Sequence, residues 1–167
     1  MERGDDHGNE QIRRSVRHLV VLLGDQLNRR SAAFDGFDAR RDVVWMAEVP
    51  EEAEHVWSTK PHIAIFLSAM RHFRNRMGAN GDPPVRIDYT EMDDPENRGS
   101  LGSELRRAIR TWRPEKVIAV RPGAWRVQKL LQKATDAVGA PLSILSDDHF
   151  LCSIEDFDAF ARGRERL

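Results

Sequence analysis

Five short apolar runs alternate along this chain with segments whose apolar residues recur at helical spacing. Leu19-Val20-Val21-Leu22-Leu23, closed by Gly24, is continuous and predicts a strand buried on both faces. Val43–Ala47 predicts a second strand, and Lys116–Val120 and Leu142–Leu145 predict a fourth and a fifth. The third run, residues 85–89, alternates as Val85-Arg86-Ile87-Asp88-Tyr89, which suits a strand nearer a sheet edge. Between the runs, Ile63, Phe66, Leu67, Met70, Phe73 and Met77 share one face of a predicted helix. Leu101, Leu105, Ala108, Ile109 and Trp112 share another, and Val127, Leu130, Leu131, Ala134 and Val138 a third. Gly78, Pro114 and Gly139 stop these helices, and Ser153 with Glu155 and Asp156 opens a last one.

Strands that alternate with helices pair in parallel through right-handed crossovers. The expected fold is therefore α/β: a Rossmann-like, doubly wound five-stranded parallel sheet with helices on both faces and strand order 3-2-1-4-5. Residues 17–167 make one domain in this reading. Residues 1–16 carry charges but no apolar stretch and are expected to be a disordered leader. Ligands of such sheets bind beyond the carboxyl ends of the strands, where the strand order reverses. That point lies between the first and fourth strands, so Gly24-Asp25-Gln26, Arg121-Pro122-Gly123 and Glu48 should surround one crevice.

Composition narrows the function classes. An apolar content of 40% and a charged content of 32% describe a soluble globule. The 26 basic and 27 acidic residues nearly cancel, which disfavours non-specific nucleic-acid binding, since that rests on neutralising phosphates. A single cysteine, Cys152, excludes an internal disulfide and any zinc or iron–sulfur site built from several cysteines of this chain. No stretch approaches the ~18 consecutive apolar residues of a membrane span. With no secretory signal either, a cytoplasmic location is expected. The chain has no G-x-G-x-x-G after its first strand, no P-loop and no G-x-S-x-G elbow.

Several residues are candidates for chemistry, each with a plainer alternative. Asp25 and Gln26 follow a buried strand and a glycine, where they bond a polar ligand or cap the next element. Glu48 ends the second strand, and a buried carboxylate there needs a partner. Glu48, Glu52 and His55 share a helical face if the helix starts early enough. Glu51 and Glu54 read as partners of the helix dipole. Trp125 and Arg126 either stack on a ligand or neighbouring domain, or pack beneath the fourth crossover. Arg71, His72, Arg74 and Arg76 read as a solvated basic face or a domain contact. Asp147-Asp148-His149 has metal-ligating atoms, but neighbours on an extended chain point to opposite sides, so a turn is the favoured reading. Cys152 is expected to be a small buried residue.

Five strings in order, LGDQL (23–27), AEVPEEAEHV (47–56), FLSAMRHF (66–73), PGAWRV (122–127) and DDHFLCS (147–153), give the chain a resemblance. It resembles the cryptochrome/photolyase family, specifically the bacterial deoxyribodipyrimidine photolyase-related proteins of the iron–sulfur (6-4) branch, over their N-terminal antenna domain. The resemblance implies an α/β domain that holds 6,7-dimethyl-8-ribityllumazine and passes excitation energy to a flavin. FAD, a four-cysteine iron–sulfur cluster and the DNA lesion belong to a helical C-terminal domain, which is expected to be absent from this chain. On these terms the chain is a truncated, non-catalytic member of a light-dependent DNA-repair or blue-light-sensing family. The implied chromophore-binding residues are Asp25, Gln26, Glu48, Glu52, His55 and Gly123. Asp25 would bind ribityl hydroxyls and a glutamate would anchor the ring. The chain departs from its similar proteins at His55, at Ser58-Thr59-Lys60, and at Ala124, where PGEWRV is more usual. Implied partners are the chromophore and a helical FAD-domain partner or a second copy, with DNA reached only through the missing domain. Two alternatives stay open: a ligand-free α/β interaction module and a nucleotide-binding Rossmann-like protein.

Overall fold

A computed structural model describes residues 15–55, 59–147, 152 and 154–163. Five parallel strands form one sheet in the order β3-β2-β1-β4-β5, with helices between them. These strands are β1 (His18–Val21), β2 (Val43–Ala47), β3 (Ile87–Thr90), β4 (Lys116–Val120) and β5 (Leu142–Leu145). The helices are α1 (Pro50–His55), α2 (Lys60–Met77), α3 (Leu101–Trp112), α4 (Trp125–Asp136) and α5 (Ile154–Ala161). The expected strand order and Rossmann-like class are both observed, and the alternating third run is an edge strand.

Successive residues of a strand point to opposite faces, and the core divides accordingly. On one face Leu19, Val21, Val43, Trp45, Val117 and Ala119 pack against Leu101, Leu105 and Ile109 of α3 and Val127 and Leu131 of α4. On the other, Val20, Leu22, Val44, Met46 and Val120 meet Met70, Leu67 and Phe73 of α2 and the short 3-10 turn at Ala32–Phe34. The central strands β1 and β2 are thus covered on both sides, as their unbroken apolar runs require.

Two strand boundaries shift from expectation. Leu22 and Leu23 lie beyond β1, although the Leu22 amide still donates to the Trp45 carbonyl at 3.0 Å. Val85 lies before β3 because its amide donates at 3.0 Å to Met77 at the end of α2, so it closes a turn instead of extending the strand. Cys152, expected to be buried, is exposed, because the chain there has already left edge strand β5. Among the described residues no helix is long and apolar enough to cross a membrane, and no cluster of three metal-ligating side chains occurs. Asp148 and His149 lie outside the described residues.

Candidate functional site

A cavity of about 630 Å³ opens beyond the carboxyl ends of β1, β2 and β4. That volume is within the usual range for small-molecule clefts, about 300–1,000 Å³. Leu22, Leu23, Gly24 and Asp25 enter from β1, and Ala47, Glu48, Val49 and Glu52 from β2 and α1. Ile63, Phe66, Leu67 and Met70 come from α2, on one side of the sheet, with His62 near the start of that helix. Pro122, Ala124, Trp125, Arg126 and Val127 come from the turn into α4, on the other side. The result is a slot with apolar walls and a few polar groups, located where strand order reverses.

Gly24 sets one wall. A Cβ at this position would sit 2.3 Å from the end of the Phe66 ring and 2.8 Å from the Met70 sulfur. The missing side chain is what lets α2 close on the end of β1. Gln26 is buried and does not line the cavity; its amide Nε2 donates to the Arg121 carbonyl at 3.0 Å, fastening the turn after β1 to the turn after β4. Gly123 is exposed and also lies off the cavity wall. Asp25 is exposed at the rim. The side chain of His55 lies outside the described residues.

Glu48 sits at the base and precedes α1, which starts only at Pro50, so it does not share a helical face with Glu52. Its carboxylate is fully buried and accepts from Arg71 Nε and Nη2, both at 2.7 Å, from the Tyr89 hydroxyl and from the Met92 amide at 2.9 Å. Burial alone would raise the Glu48 pKa, but these hydrogen bonds outweigh it and hold the carboxyl below the usual range. Burial, reinforced by the adjacent Glu48 carboxylate, pushes the Tyr89 hydroxyl well up, so it remains a donor. Arg71 also reaches Glu91 at 3.7 Å, and Arg74 pairs with Glu91 at 2.6 Å while lying over the Tyr89 ring. The expected solvated basic face is therefore corrected at these two positions: Arg71 and Arg74 face the acids at the ends of β2 and β3. The reading of Glu48 as an acid that needs a partner when buried holds; its partner, Arg71, lies 23 residues away on α2, a pairing no local pattern reports.

Glu52 behaves differently. It is half-buried and accepts from a single nitrogen, Arg126 Nη2, at 2.9 and 3.0 Å, which joins α1 to α4 beside the cavity. Trp125 is 64% exposed beside it, with the Lys129 ammonium 5.3 Å from its ring centroid, so it is not packed beneath the crossover.

A family model described as deoxyribodipyrimidine photo-lyase-related protein matches residues 20–167. A (6-4) photolyase of Agrobacterium fabrum strain C58 is 40% identical over 149 residues, covering 89% of this chain and 29% of that protein. The chain thus spans less than a third of the curated relative's length.

Proposed function

The chain belongs to the deoxyribodipyrimidine photo-lyase-related family, and on that premise we propose that its crevice is an antenna-chromophore site. The pigment is a lumazine of the 6,7-dimethyl-8-ribityl type, and the setting is light-dependent DNA repair or blue-light sensing. One observation carries this reading: an apolar-walled slot of about 630 Å³ with Asp25 and Glu52 at its polar margin, at the strand-order switch. A flat ring system buries its faces against Phe66, Met70 and Leu67, and a polyol tail finds an acceptor in the exposed Asp25 carboxylate. When bound, the pigment supplies light absorption and transfer of excitation energy.

The roles of this chain's residues are to hold, orient and shield the pigment. Glu48 stiffens the base through its hydrogen bonds, and Gly24 admits the Phe66 ring. Flavin photochemistry is not assigned to this α/β unit. A four-cysteine cluster would need ligands beyond these residues, because Cys152 is the single cysteine.

Titrating 6,7-dimethyl-8-ribityllumazine with the protein and following fluorescence polarisation tests the proposal. Saturation at one pigment per chain is expected, with affinity at least tenfold weaker in Asp25→Ala, since a hydrogen bond to a charged group contributes about 1.5–3 kcal/mol. A flat titration at high protein concentration contradicts it. A second reading, contact with another domain or a second copy, is favoured by exposed Ile65, Phe157 and Phe160. Sedimentation at several concentrations tests the second-copy version, and a strict monomer counts against it.

A further inference from the structure

We propose that Arg126 reads the carbonyl edge of the pigment, and that Glu52 acts on the pigment only by positioning this guanidinium. The inference rests on the reading of the crevice as a lumazine site. Among the described residues lining the cavity, Arg126 is the one permanent cation, whereas Asp25, Glu48 and Glu52 are carboxylates. An ionised carboxylate only accepts hydrogen bonds, so it offers nothing to the carbonyl oxygens of a pteridine dione. That edge needs a donor, and Arg126 supplies the charged one, alongside the ring N–H groups of His62 and Trp125, which also line the cavity.

The donor count supports the assignment. A guanidinium carries five N–H groups. Glu52 takes those of Nη2, through contacts of 2.9 and 3.0 Å. Among the described residues no acceptor takes the N–H groups of Nε and Nη1. Charge-assisted hydrogen bonds from a fixed, planar fork are directional as well as strong. The ion pair to Glu52 fixes that fork, and both partners come from elements that flank the cavity, α1 and α4. Glu48 lacks this capacity, because its two oxygens already receive Arg71, Tyr89 and the Met92 amide.

The test compares wild type, R126Q, R126K, E52Q and the R126Q/E52Q double variant. Each is titrated with 6,7-dimethyl-8-ribityllumazine, and the absorption spectrum of the bound pigment and the thermal midpoint are recorded. R126Q is expected to bind at least tenfold more weakly, with the bound spectrum moved toward that of free pigment and the midpoint nearly unchanged. R126K should recover part of both binding and spectrum. E52Q should fall between wild type and R126Q, and adding E52Q to R126Q should cost less than a further twofold. Wild-type binding with R126Q within twofold and spectrally unchanged overturns the inference and leaves the pigment site standing. A further tenfold loss from E52Q in the R126Q background also overturns it, because Glu52 would then contact the ring itself. Absence of binding by wild type overturns the pigment reading and this inference together.

Discussion

Two acid–arginine pairs adjoin one crevice and have opposite characters. Glu48 and Arg71 meet at the base, where the carboxylate is buried and filled by donors from α2, β3 and the loop after it. Glu52 and Arg126 meet beside the cavity, where both side chains are about one-third exposed and the guanidinium keeps donors unspent. A buried ion needs every lone pair satisfied, so a saturated pair is committed to the fold. A half-exposed pair loses little by sharing with a ligand. The contrast shows that the residue type, glutamate against arginine, says less about function than the number of hydrogen bonds left over.

The largest test of that contrast is Glu48→Ala. It leaves the Tyr89 hydroxyl and the Met92 amide without their acceptor and takes from Arg71 its closest partner, with Glu91 and Asp93 still at 3.7 and 3.6 Å, and should cost about 3 kcal/mol in chemical denaturation. A loss below 1 kcal/mol would remove the distinction between the pairs.

Gly24→Ala comes next. The added methyl meets the Phe66 ring and the Met70 sulfur, so overpacking of about 1–3 kcal/mol is expected. The displaced ring should also narrow the slot and weaken pigment binding more than tenfold. Unchanged affinity in that variant would show that the Phe66 wall is not part of the site.

Acidification sharpens the comparison further. The folded-state pKa of Glu48 is lowered despite the opposing effect of burial, so its stabilisation is present above the unfolded carboxyl value of about 4.3. The stabilisation is lost as pH falls through the lower folded value. The stability gap between wild type and Glu48→Gln should therefore be widest near neutrality and shrink below about pH 4. A gap that does not narrow in acid would contradict the ionised, saturated carboxylate. The smallest effect on stability belongs to Glu52→Gln, at about 0–1 kcal/mol, because its ion pair is half-exposed. A larger loss would make this pair a structural element like the first.

The fold was legible because its signals are local and repeated. Unbroken runs at Leu19 and Val43 mark strands covered on both faces, and the alternation at Val85 to Tyr89 marks an edge. The position of the crevice follows from strand order, which placed Gly24, Asp25, Glu48 and Pro122 around it, whereas Gln26, Arg121 and Gly123 lie off its wall and Glu52 was reached only through helical spacing and the resemblance. What escaped was pairing across sequence. Arg71 lies 23 residues from Glu48 and Arg126 lies 74 from Glu52, separations that no periodicity reports. Gln26 was legible as a polar residue after a strand, but its partner, a carbonyl 95 residues away, was not. Phe66 and Met70 carried a helical period, which indicates a face and not the glycine opposite that lets the face approach.

The central claim, that this crevice holds a flat pigment, is tested most directly by a crystal structure of the chain grown with saturating 6,7-dimethyl-8-ribityllumazine. Electron density for the rings against Phe66, with the polyol at Asp25 and the carbonyl edge on Arg126, is the predicted result. An empty crevice under those conditions, or pigment bound elsewhere on the molecule, would contradict it.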